Sequence, residues 1–117
     1  MSFKIIVDSA SNLPQSIMDQ YDMDVVSYHF TLDGVDHLCY DKSKDYTQTC
    51  IDFYNSLRAG ADVRTSLINS ADYSDAARPF LEKGVDVAIV VMSSGISGSA
   101  QSAKLAVDEL REEFPDR

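Results

Sequence analysis

Residues 85–100 constrain the chain more than any other stretch: the run Val85-Asp86-Val87-Ala88-Ile89-Val90-Val91-Met92 leads directly into Ser93-Ser94-Gly95-Ile96-Ser97-Gly98-Ser99-Ala100. The near-continuous β-branched run reads as a strand buried on both faces, as in a parallel sheet. Serines and glycines then turn the chain into a helix. A strand that feeds a helix in this way is a βα unit, and it points to an α/β fold with right-handed crossovers. In open α/β sheets, ligands gather beyond the carboxyl ends of the strands. A helix N-terminus at that place favours an anion, because its N–H groups and dipole face the ligand.

The other segments fit the same architecture. Phe3-Lys4-Ile5-Ile6-Val7-Asp8 predicts a first, central strand, closed by the turn-formers Ser9-Ala10-Ser11-Asn12. Pro14 suits the first turn of a helix reaching about Tyr21. Val25 to Phe30 predicts a second strand, and Asp33-Gly34 a turn that returns Val35–Cys39 as a hairpin. Between Thr47 and Ala59, Cys50, Phe53, Tyr54 and Leu57 recur at spacings of three and four, an amphipathic helix ended by Gly60. Arg64 to Ser70 reads as a polar loop in which Asn69 or Ser70 caps the next helix, about Ala71 to Lys83. Pro79 should kink or break that helix. A last helix, from about Gly98 to Glu113, turns Ala103, Leu105, Ala106, Val107 and Leu110 inward. The expected fold is therefore α/β, a mainly parallel sheet of three or four strands with helices on both faces.

Charge narrows the function. Nineteen acidic against ten basic residues leave a net charge of −9. Such a surface repels phosphate backbones, so nucleic-acid binding is not expected. An anionic ligand must then be held by local dipoles and hydroxyls, against the overall field. No apolar run is long enough for a transmembrane segment, and the first residues lack a signal-peptide core. Cys39 and Cys50 form no C-x-x-C and are expected as buried or half-buried thiols in a reducing cytoplasm.

Catalytic signatures are weak. His29 and His37 lack metal-ligand spacing, and no carboxylate pair stands out as acid and base, so neither a metal nor a cofactor is expected. Gly95-Ile96-Ser97-Gly98-Ser99 approaches the nucleophile elbow G-x-S-x-G, but Ser99 replaces the second glycine and no histidine follows it. A small serine-dependent hydrolase or transferase using Ser97 or Ser94 is thus one alternative. A binder of a small polar anion is another. The stronger reading is a binding site, with Asp8-Ser9, Thr65-Ser66 and Ser93–Ser99 bringing hydroxyls to one rim with few cations.

At these residues the chain resembles the DegV family of bacterial fatty-acid-binding proteins. The resemblance rests on Lys4-Ile5-Ile6-Val7-Asp8-Ser9-Ala10-Ser11-Asn12-Leu13-Pro14, on Phe53-Tyr54, on Arg64-Thr65-Ser66, and on Ser93 to Ala103. It covers residues 1–117 as the family's N-terminal α/β domain, without the second domain that closes over the acyl chain. It implies a protein that binds a long-chain fatty acid and is not itself an enzyme. A partner fatty acid kinase would phosphorylate the presented carboxyl group. It further implies that Thr65 and Ser94 bind the carboxylate, with Ser66, Ser93, Gly95 and Ser97 completing the pocket. Leu67-Ile68 stands where the family usually has Gln-Pro, and Ser27 where it tends to have proline. A lone domain of this kind would expose an apolar face and is expected to self-associate.

Overall fold

Strand β1 (Phe3–Asp8) is the axis of the molecule, a computed structural model that describes residues 3–117. It pairs in parallel with β2 (Asp24–Val26) on one side and with β6 (Asp86–Val90) on the other. Its alternation divides its side chains between two faces. Ile6 joins Val26, Val87 and Ile89 against helices α3 (Ser70–Glu82) and α4 (Ser99–Glu113), where Tyr73, Ala77, Ala103, Ala106 and Leu110 complete the core. On the opposite face Val7 is buried, as is Met18 of the short helix α1 (Gln15–Gln20).

The expected second strand is two strands in two sheets. Residues 24–26 belong to the parallel sheet, whereas β3 (His29–Leu32) is the centre of an antiparallel sheet with β4 (Val35–Leu38) and β5 (Val63–Ser66). The break lies at Ser27-Tyr28, whose polar groups are engaged by side chains. The Tyr28 N–H donates to Ser9 Oγ at 2.9 Å, and Ser27 Oγ accepts from the Tyr40 N–H at 2.9 Å. The hairpin from β3 to β4 turns at Asp33-Gly34, both left-handed with φ of 49° and 86°. That geometry matches the twist of the strands and favours glycine at the second position.

Three further expectations are corrected. The loop expected from Arg64 is strand β5 up to Ser66, pairing Thr65 with Phe30. Its polar, exposed composition carries no strand signal, because an edge strand needs only a backbone partner. Strand β6 is not buried on both faces. It is an edge strand, and Val90 is 59% exposed beside an exposed Ala88 and Phe3. Leu105 does not face inward but is half exposed, while Ala103, Ala106 and Leu110 form the buried stripe. Helix α3 continues through Pro79 to Glu82 and stops at Gly84, whose φ is 76°.

Charge is also placed inside. Lys4, buried under the Phe80 ring at 4.9 Å, reaches Asp24 at 3.1 Å and Asp22 at 3.3 Å. It ties the start of β1 to β2. Among the described residues no helix is long and apolar enough to cross a membrane.

Candidate functional site

Asp8 ends β1 and is 2% exposed. Its Oδ1 accepts from the Ala10 N–H at 3.0 Å and its Oδ2 from the Met92 N–H at 2.7 Å. One carboxylate therefore shapes the turn after β1 and clamps it to the loop after β6. These two loops lie at the carboxyl edge of the parallel sheet, as the topology demands. Ser9 there accepts from the Tyr28 N–H, which brings the junction between the two sheets to the same place.

Helix α4 starts without a side-chain cap from Gly98. Instead Ser97 Oγ accepts from the Ser99 N–H at 3.2 Å. Leu67 lies over this start: a Cβ at Gly98 would come within 3.2 Å of the Leu67 Cδ1, so glycine permits the close approach of β5's end to α4. Buried Ser99 accepts from the Ile68 N–H at 3.3 Å, which fixes that approach from below.

Between the two sheets and helix α2 (Tyr46–Arg58) opens a cleft of about 560 Å³. That size lies within the range of ordinary ligand pockets. Hydroxyls enter it from Ser9, Thr65, Ser66 and Ser97. Phe30, Phe53, Tyr54, Leu67, Met92 and Ile96 give it apolar wall. Phe30 and Phe53 meet edge to face at 5.0 Å, and Phe53 meets Tyr54 likewise at 5.3 Å. Tyr28, Cys39, Tyr46, Thr49 and Cys50 complete the wall. None of the described residues that line the cleft carries a charged side chain.

Two titratable groups in that wall are held toward their neutral forms. Burial pushes the Cys39 thiol up, a hydrogen bond from Ser9 offsetting part of the effect. Burial also raises Tyr46, reinforced by the neighbouring Cys50. Both cysteines are free and half-buried, as expected. The cleft can thus hold an acceptor-only group by hydroxyls and an apolar body by aromatic surface, with no cation to neutralise it.

The residues singled out in the sequence divide into two sets. Thr65, Ser66 and Ser97 come together in the cleft although they lie on different elements. Ser93, Ser94 and Gly95 form an exposed turn at its edge and do not line it. There the Ser93 carbonyl accepts from the Ile96 and Ser97 N–H groups at 2.9 and 3.1 Å, and Ser93 Oγ accepts from the Gly95 N–H at 3.2 Å. Tyr28 escaped the sequence reading, since it looked like one apolar position of a continuous strand. Its Oη lies 3.4 Å from Ser97 Oγ. Asn12 was likewise seen only as a turn residue, and it lines the cleft from a left-handed φ of 51°.

Ser97 has hydroxyl partners, Tyr28 and Ser99 at 3.2 Å, and no imidazole. His29 pairs with Asp36 at 3.0 Å and His37 stacks on Phe30 at 5.3 Å, and neither is among the hydrogen-bond partners of Ser97. The serine-nucleophile reading therefore lacks its base.

The chain is 32% identical to a DegV domain-containing protein of Clostridium perfringens over 97% of its own length and 38% of that protein's. Its fold superposes with a TM-score of 0.80 on a stearic acid-binding protein from Eubacterium ventriosum, at 27% identity, covering 97% of this chain and 38% of that one. It also matches, with a TM-score of 0.78 and 31% identity, a Thermotoga maritima protein whose structure reveals a fatty acid binding function, over 93% of this chain and 39% of that one. The chain thus spans less than two-fifths of the length of these relatives. The family model described as "Uncharacterised protein, DegV family" matches residues 2–116, nearly the whole sequence, and the chain belongs to the DegV family.

Proposed function

We propose that this chain binds a long-chain fatty acid, its carboxylate against the hydroxyls of Thr65, Ser66 and Ser97 and its tail along Phe30, Phe53 and Tyr54. The observation that carries the reading is the uncharged cleft, with hydroxyls from β5 and the βα loop meeting an aromatic wall from β3 and α2. Each hydrogen bond to the charged head group contributes about 1.5–3 kcal/mol. The tail contributes about 0.8 kcal/mol per buried methylene before ordering costs. Affinity therefore comes from the tail and head-group choice from the hydroxyls. An apolar wall of this extent favours a lipid over a small polar anion.

Ser94, Ser93 and Gly95 join the carboxylate site when the exposed turn folds onto the ligand. The chain is a binding protein, and a partner fatty acid kinase performs any phosphorylation of the presented carboxyl group. Residues 1–117 act as the N-terminal domain, with a second domain of the family's kind covering the tail. The protein works in the cytoplasm, where Cys39 and Cys50 stay reduced. By itself the domain self-associates through the exposed Phe3, Ala88 and Val90.

Native mass spectrometry with lipid extraction tests these points on protein purified from a bacterial host. The expected result is a co-purifying fatty acid of roughly sixteen to eighteen carbons, a length set by the tail term above, together with a dimer peak. Protein that neither retains a fatty acid nor takes one up on titration, both as residues 1–117 and when joined to a second domain of the family's kind, would overturn the binding reading. A monomer at every concentration would overturn the self-association.

A further inference from the structure

Helix α2 has no buried side chain, and the cleft is not the only hollow along it. A groove of about 580 Å³ runs between α2 and residues 12–16. The helix repeat sorts the α2 residues between the two spaces. Of the two, Thr49 and Phe53 line only the cleft, and Thr47, Ile51 and Asn55 only the groove. Tyr46, Cys50 and Tyr54 line both. Residues four apart stand one above another on a helix, so these three form a single ridge between cleft and groove.

The ridge is uneven. Tyr46 is braced edge-on by the buried Tyr40 at 5.3 Å, and Tyr54 by Phe53 at 5.3 Å. Cys50 stands between them, a free and half-buried thiol with no ring. The barrier is therefore lowest at Cys50. A second way out of the cleft is less favourable. It leads past Phe30 and Phe53, whose rings meet at 5.0 Å, into a hollow lined by Asp36, Asp41, Lys44 and Asp52. A methylene chain entering there would strip water from charged groups. The groove instead offers Leu13, Pro14 and Ile51 as apolar surface. Among its described lining residues only Arg58, at the end of α2, carries a charge.

We infer that Cys50 is the residue that sets tail length. The inference rests on the fatty-acid reading above and deepens it. A tail too long for the cleft crosses the ridge over Cys50, between Tyr46 and Tyr54. Its far end then lies in the groove against Leu13, Pro14 and Ile51. The small side chain at position 50 makes the cleft and the groove one continuous acyl track, so the site takes long straight chains without exposing their ends to water.

Titration calorimetry with saturated fatty acids of about ten to twenty-two carbons, below micelle-forming concentrations, tests this on wild type, Cys50→Phe and Ile51→Asn. Each is measured as residues 1–117 and joined to a second domain of the family's kind. Wild-type affinity should climb about fourfold per added methylene and keep climbing once the tail passes the ridge. In Cys50→Phe the ring closes the gap, and the climb should stop at a shorter chain. Ile51 is 47% exposed and lines the groove but neither other hollow, so Ile51→Asn probes the groove without disturbing the core. It should leave the shortest acids unchanged and weaken the longest about fivefold, slightly more than the share of one methylene. An Ile51→Asn curve that coincides with wild type or runs parallel to it would overturn the gate and leave the fatty-acid reading intact. So would a Cys50→Phe curve that coincides with wild type. A wild type that binds no acid of any length in either form would instead overturn that reading, and the gate with it.

Discussion

Replacing Asp8 by Asn tests the clamp on which the cleft depends. The two side chains have nearly the same shape, but Asn offers one acceptor oxygen where Asp8 uses two, on Ala10 and Met92. Either backbone N–H then faces an NH₂ group. The loss is one charge-assisted bond, about 1.5–3 kcal/mol, with a buried donor left unsatisfied at a further cost of about 1 kcal/mol or more. A total of about 2–4 kcal/mol is expected. For 117 residues the unfolding entropy is about 0.25 kcal/mol per degree. The melting temperature should therefore fall by about 8–16 °C, measured by circular dichroism at neutral pH. The Met92 amide, next to the serine loop, should also lose protection against hydrogen exchange. A fall of less than about 3 °C, with Met92 still protected, would refute the clamp, because the lost bonds would then be worth less than ordinary surface contacts.

Two other outcomes follow from the same structure. Burial alone would lower the pKa of Lys4, but hydrogen bonds to Asp24 and Asp22, with their charges, outweigh it and raise the pKa above 10.5. Folded Lys4 thus holds its proton more tightly than unfolded Lys4, so its contribution is complete below pH 10.5 and is lost as pH rises through the folded value. Wild type should accordingly lose stability above that pH more steeply than Lys4→Met, and parallel pH–stability curves would contradict the pairing. Phe53→Ala should weaken fatty-acid binding by about tenfold through lost tail contact, with the same loss for oleate and oleyl alcohol; a loss confined to oleate would show that Phe53 serves the head group instead.

The sequence spoke clearly wherever the structural cause was local. Strand β1, the Asp33-Gly34 hairpin, helix α2 and the Asn69 cap on α3 follow from patterns a few residues long, and the cap is seen in the Asp72 N–H donating to Asn69 Oδ1 at 3.0 Å. Strand β5 was illegible because its reason is β3, more than thirty residues earlier in the chain. The split at Ser27-Tyr28 was hidden for the same reason, since Ser9 and Tyr40 cause it. Burial of β6 was overread: a β-branched run indicates a strand, but its second face needs a covering layer that local sequence does not report. In the site, hydroxyls clustered by sequence were easy to find, and Thr65, Ser66 and Ser97 share the cleft. Tyr28 was not, because an aromatic in an apolar run reads as core until the position of its hydroxyl is known.

The placement of β1 between β2 and β6 has a consequence for how the chain reaches its native state. On one side Ile6 to Asp8 meet residues 24–26, across a crossover that holds α1. On the other, Phe3 to Val7 pair with Asp86 to Val90, across some eighty residues of chain. The local hairpin of β3 and β4 can close early, whereas the central sheet must wait for residues 86–90. Non-local closure of that kind slows folding. During synthesis the run Phe3–Val7 leaves the ribosome well before its second neighbour, Asp86–Val90. It is the segment that spends longest with an open edge, and the one from which misassembly would begin.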